Sequence, residues 1–476
     1  MRWGGVNWLC VVAVGLVLAA CSTPLTKTPA NKAPPAADIA ITRDHDRWTA
    51  DYTLSQDAPV WVFIRSTLEM RTRAPWRPKQ WHAETPGVVL EHFGNWDILR
   101  ATNGGNVPRQ VRLNLEPEPV LLEAGYPTLR FSDGATALYS GAFGVFALPS
   151  LEAVKKLPDD LNDYPMADVT VRTHWRDVSG PVLVNGKRVT KADEQDDDLY
   201  VLFGTPRVKQ GAHLVTVSDP ALPAWISQSL ADFAPRIADY YTRRLGPGQT
   251  ARPTIMITWM GPTPHVISLG GSVLPGLIVM TLEGEGLVQS SPKVLPYERW
   301  FIAHESAHFW LGQTVHYEAA RDSWITEGGA DLMAVRAIKT LDPAYDATSE
   351  LQKEIDDCIK LGTKPVAEAG KRGEHRAYYA CGAAFAMIAE ASQKHATGGD
   401  WFDFVKSLID AHRTDHVLTR TAWLAQLTKV SGDPSLARDI AGLLDNGAAD
   451  PAARLAALFD RACVRYRRDG GKIVLQ

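Results

Sequence analysis

Cysteine is scarce in this chain. Five occur in 476 residues, and none forms a Cys-x-x-Cys pair, which excludes a thiolate metal site of the zinc-ribbon kind. Long basic runs are absent and the formal net charge is −4, so there is no nucleic-acid surface to account for. No internal repeat is present, which excludes a solenoid. The apolar stretch at residues 8–20 is about a dozen residues long, short of the roughly 20 that a membrane-spanning helix needs. What remains is a soluble globular composition, 45% hydrophobic and 22% charged, in a chain long enough for two or three domains.

The N-terminus has the layout of a signal peptide over residues 1–20. Arg2 is followed by the apolar stretch, and small residues lead to Cys21 in "LAAC". That ending resembles the bacterial lipoprotein box, which implies a diacylated Cys21 and a lipid anchor without a transmembrane helix. Ser22 stands where an inner-membrane retention signal places aspartate, so the resemblance implies an outer-membrane lipoprotein facing the periplasm or the exterior. Residues 21–43 begin with Pro, Ala, Thr and Lys and contain no aromatic residue up to position 40; they read as a flexible tether. With Cys10 in the signal and Cys21 lipidated, Cys358, Cys381 and Cys463 remain. An oxidising compartment permits one disulfide and one free thiol, with all three pairings open.

The fold class expected is α+β. Residues 44–222 read as a β-rich, sandwich-like domain: "APVWVFIRS", "DVTVRTHW", "LYVLFG" and "HLVTVSD" alternate and favour Val, Thr and aromatics. Asn185-Gly186 between "VLV" and "KRVT" predicts a two-residue hairpin. Its histidines (His82, His92, His174, His213) are isolated along the sequence and read as packing or surface residues. From Pro223 helical spacing takes over, with residues 223–345 as a catalytic core and residues 346–476 as a mostly helical remainder. "TIMITWM" and "GLIVMTL" read as buried strands separated by a loop containing Gly270-Gly271. Asp322 is placed to cap the helix that follows it.

The chemistry lies in "AHESAHFWLGQTVHYEAARDSWITEGGAD", residues 303–331. On a helix, positions i and i+4 share a face, so His304 and His308 can bind one tetrahedral zinc. Glu305 is displaced by about 100° around the axis; it misses the metal but can reach a water on it as general base. Glu327 follows His308 after eighteen intervening residues and can supply the third ligand from a second helix. Asp331, one turn beyond, can accept the other ring N–H of a ligand histidine.

These residues resemble the signature of the gluzincin aminopeptidases, the alanyl aminopeptidase and leukotriene hydrolase type: His-Glu-x-x-His, eighteen residues, then Glu within Trp-x-x-Glu-Gly. His304, Glu305, His308, Trp324, Glu327 and Gly328 match. The resemblance implies a thermolysin-like catalytic domain, one zinc ion per chain, a peptide substrate and hydrolysis of peptide bonds by metal-activated water. It also implies a tyrosine in Tyr-x-x-Gly as donor to the oxyanion; Tyr379 fits through Gly382, with Tyr378 as its neighbour and competitor. The family's Gly-x-Met-Glu-Asn strand, whose glutamate binds the substrate amine, corresponds to "GGSVLPGLIVM", with Val273 at the glutamate position. A valine cannot hold an ammonium, and Glu283 or Glu285 are the carboxylates nearby in sequence that can stand in. Two other functions use the same residues: a non-catalytic peptide-binding lipoprotein on a peptidase fold, and a zinc hydrolase of a non-peptide substrate.

Overall fold

In "ADIAITRD", Ala37, Ile39 and Ile41 point to one side and the polar residues to the other. The computed structural model accordingly forms a strand over Ala37–Asp44, with those three side chains buried. It describes residues 35–476 apart from 124, 159–160, 162–163, 165–168, 197, 212–213, 251 and 293; the signal segment, Cys21 and His213 lie outside the described residues. The tether reading of residues 21–43 therefore needs correction at its end. Residues 37–43 are paired along their length, antiparallel to Arg47–Leu54 and parallel to Val171–Asp177.

That strand is the third of a six-stranded sheet, and four- and five-stranded sheets complete the β-rich region. Trp48, Tyr52, Trp61, Phe63, Trp81 and Trp175 fill its main core. Arg77 is wholly buried within it, ion-paired to Asp97 and lying 4.2 Å over the Phe63 ring. The hairpin at Asn185-Gly186 forms as expected; both residues take positive φ, 49° and 73°, the combination a type I′ turn requires. His92 and His174 are bound to carboxylates, His92 to Asp97 and His174 to Asp38 and Asp193.

A separate sheet after the β-rich region has five strands: β1 (Val208–Gln210), β2 (Val215–Ser218), β3 (Thr254–Trp259), β4 (Ser268–Leu274) and β5 (Leu277–Glu283). Their order is β1-β2-β3-β5-β4. Two expectations change here. The boundary drawn at 222/223 falls after β1 and β2, because "HLVTVSD" pairs in parallel with β3 and not with the N-terminal sheets. Gly270-Gly271 are not in a loop; they lie within β4, an edge strand antiparallel to β5.

Five helices frame the site: α1 (Ala224–Leu245), α2 (Val294–Ala307), α3 (Trp324–Leu341), α4 (Ala347–Leu361) and α5 (Arg376–Thr397). Helix α1 buries Ile226, Leu230, Phe233, Ile237 and Tyr241, a stripe at helical spacing, and stops at Gly246 with φ 82°. Asp322 does not cap α3. It sits in a short 3₁₀ turn, Ala320–Asp322, that runs directly into the helix, and the flanking Ser323 has helical dihedrals of −57° and −18°. No extended residue is left to act as a cap. Cys358 and Cys381 form a disulfide joining α4 to α5, and Cys463 is free and exposed. Among the described residues no helix is long and apolar enough to cross a membrane.

Candidate active site

Helix α2 and the turn after it present His304, Glu305 and His308, all buried. Its last turn tightens, with the His308 N–H donating to the Glu305 carbonyl, and the chain then reverses at Gly312. His304 Nδ1 lies 2.8 Å from Asp331 Oδ1, and His308 Nδ1 lies 2.9 Å from the Leu311 carbonyl. A carbonyl only accepts, so the His308 Nδ1 carries the proton. Each ring is thus held with Nε2 facing inward.

The two Nε2 atoms are 3.1 Å apart, and Glu327 Oε2 lies 3.5 Å from His304 Nε2 and 3.4 Å from His308 Nε2. Bond lengths of about 2.0–2.1 Å to a tetrahedral zinc imply a ligand-to-ligand edge of roughly 3.3 Å. The triangle matches that edge on all three sides. His304, His308 and Glu327 are also the one trio among the described residues whose ligand atoms converge closely enough to hold a metal.

The electrostatics give a second test of fit. Glu327 Oε2 is buried with no hydrogen-bond donor, as are Glu305 Oε2 and Asp331 Oδ2. Burial alone disfavours charge on His304, yet Asp331 and Glu327 outweigh it and raise that imidazole well above its usual range. His308 is raised in the same way, with Glu327 overcoming the cost of burial. For Glu327 burial also opposes charge, but the two imidazoles bring its carboxyl down to about 2. Two buried carboxylates, Glu327 and Glu305, therefore face a point that calls for positive charge, with Asp331 behind the His304 ring, and a divalent cation suits it.

Glu305 rests against the edge strand. A Cβ built on Gly271 would lie 2.5 Å from Glu305 Oε1, so only glycine leaves the carboxylate its place. Burial, the largest influence, raises the Glu305 pKa against the pull of His304 and His308, which moves it towards the range useful to a general base.

Hydrogen bonding separates the two tyrosines. Tyr378 is occupied elsewhere, its hydroxyl accepting from the Gly370 N–H at 3.0 Å and donating to the Ala367 carbonyl at 3.2 Å. Tyr379 lines the cleft with His304 and Glu305, stacks on the His304 ring at 5.6 Å and faces the Glu327 carboxylate. Its pKa is raised by burial and by the surrounding carboxylates, so the phenol remains a donor.

Glu283 and Glu285 do not reach this site. Glu283 is buried in an ion pair with Arg71 and accepts from Thr263 Oγ1 at 2.5 Å, while Glu285 is exposed on a short 3₁₀ turn. Behind His304 lie residues that sequence reasoning missed. Arg376 approaches Asp331 Oδ2 at 4.0 Å and binds Glu354 and Asp357 of α4 at 2.7 and 2.8 Å. Nothing in a single sequence marks such a long-range cluster.

No family model matches this chain, and no curated protein does. Solved structures do. An aminopeptidase N family protein from Idiomarina loihiensis superposes with a TM-score of 0.60 at 13% identity, covering 88% of this chain and 78% of that one. The chain has that protein's fold. An M1 zinc metallopeptidase variant from Deinococcus radiodurans, bound to a Tyr-Ser-Ala substrate, matches with a TM-score of 0.49 at 14% identity over 88% of this chain and 95% of its own. Native leukotriene A4 hydrolase from Saccharomyces cerevisiae gives 0.49 at 11% identity, over 88% and 68%.

Proposed function

We propose that this chain is a zinc metallopeptidase of the gluzincin aminopeptidase type, tethered to the cell envelope as an outer-membrane lipoprotein through Cys21. The observation that carries the catalytic reading is the triangle of His304 Nε2, His308 Nε2 and Glu327 Oε2, with sides of 3.1 to 3.5 Å. These three residues would hold one zinc ion, which supplies Lewis-acid chemistry that acidifies water and polarises a carbonyl.

Glu305 accepts a proton from the attacking water and delivers it to the leaving nitrogen. One water is consumed; a C–O bond forms, the C–N bond breaks, and a carboxylate and an amine leave. Tyr379 donates to the oxyanion that develops on the former carbonyl. Asp331 holds the His304 ring, and Gly271 leaves room for Glu305 against β4.

The test is Glu305→Gln. The variant is expected to retain one zinc per chain by metal analysis while kcat on a mixed peptide library falls by at least about 10²-fold. Ordinary turnover by a zinc-loaded variant removes Glu305 from the role of base.

A further inference from the structure

The walls of the cleft bear on which peptides it accepts. Beside Glu305 they consist of Leu269, Tyr297, Trp300, Phe301, His304 and Tyr379. Among the described residues of that lining, Glu305 is the one carboxylate. Strand β4 turns Leu269 and Val273 into the same core as α2, and Gly271 between them touches Glu305. The face of the strand towards α2 is therefore apolar along its length.

Among the described residues lining the far side there is no acid either. There Leu121, Leu122 and Pro127 face Gly270, Gly271 and Ser272. Near the strand Glu283 and Glu123 are ion-paired to Arg71 and Arg73, and Glu298 is buried against Ser229 of α1. Aromatic faces can hold an ammonium, but the half-buried Trp300 already has ring neighbours. Tyr297 stacks on it at 5.7 Å with an interplanar angle of 9°, and the His304 ring lies 5.2 Å away, one helical turn in the other direction.

A free α-ammonium against these walls would lose its water and meet no carboxylate but that of Glu305, the base of the proposed reaction. From these walls we infer that the substrate is a peptide bond remote from a free N-terminus, or one behind an acylated N-terminus, flanked by an apolar residue. This rests on the peptidase reading of the same site. Among the described residues no further strand pairs with the outer edge of β4, so an extended chain can pair with it beside Gly270 and Gly271, next to Glu305.

The experiment uses the zinc-loaded full chain and three peptides sharing one apolar core. One has a free amine on the residue that donates the scissile carbonyl, the second has that amine acetylated, and the third is extended there by three neutral residues. Cut positions are mapped by mass spectrometry and kcat/KM is measured for each. The acetylated and extended peptides are expected to be cleaved at least tenfold more efficiently than the free-amine peptide. Equal or faster cleavage of the free-amine peptide overturns this substrate class and leaves the peptidase reading standing. No cleavage of any of the three overturns both.

Discussion

Gly328 and Gly382 meet backbone to backbone where α3 crosses α5. A Cβ on Gly328 would fall 2.1 Å from the Gly382 carbonyl carbon, and one on Gly382 would fall 2.3 Å from the Trp324 carbonyl oxygen. Glu327 precedes the first glycine and Tyr379 lies one turn before the second. The close approach is what brings the phenol beside Glu327 and His304. A methyl group at either position must separate the helices. Gly382→Ala is expected to cost about 1–3 kcal/mol of stability or somewhat more and to lower kcat more than zinc content, read from denaturant melts, turnover and metal analysis.

Asp331 works through His304. Its Oδ1 lies 2.8 Å from His304 Nδ1, and on the zinc reading removing the carboxylate charge lowers the basicity of a ligand ring. Asp331→Asn is expected to weaken zinc binding by about 10–100-fold. Competition against a chelator of known affinity measures it, and unchanged affinity would show that the carboxylate contributes nothing through the ring.

Glu298 gives a dependence on pH that is separable from the metal site. It is 1% exposed, accepts from Ser229 Oγ at 2.8 Å, and is pushed by burial from 4.5 up to about 7. Below about pH 4.5 the acid is protonated in both folded and unfolded chains, so it has no effect on stability. Between about 4.5 and 7 the unfolded chain releases its proton and the folded chain keeps it, so stability falls as pH rises, by up to about 3 kcal/mol. Above 7 the loss is complete. Glu298→Gln is therefore expected to be more stable than the natural chain at pH 8 and no more stable at pH 4, by urea denaturation at both pH values.

In the β-rich region the buried Arg77–Asp97 pair, with His92 on the other oxygen of Asp97, predicts a large penalty for breaking it. Asp97→Asn leaves a guanidinium uncompensated among Phe63, Trp76 and Trp81. The expected loss is about 3–5 kcal/mol, measured as a shift in the denaturant midpoint. A loss under about 1 kcal/mol would mean that water reaches Arg77.

Short-range features could be read before any fold was known. The spacing of His304, Glu305 and His308 places two ligands and a third group on one turn because the helix repeats every 3.6 residues. Asn185-Gly186 specifies a hairpin because both positions need positive φ. Alternation marked the strands, although it could not say which sheet "HLVTVSD" joins, since parallel pairing partners are distant in sequence.

Residue types and local periodicity were thus enough for the candidate ligand set and the mixed fold class, and the family resemblance added a candidate tyrosine. Only the tertiary structure distinguished Tyr378 from Tyr379, by which hydroxyl finds a backbone partner in the 366–372 segment. It alone paired Cys358 with Cys381, assigned Glu283 to Arg71, and showed that Glu305 needs a glycine opposite it. All of these are contacts between segments separated by 8 to 212 residues, and a one-dimensional pattern carries no information about which distant side chain will occupy a given volume.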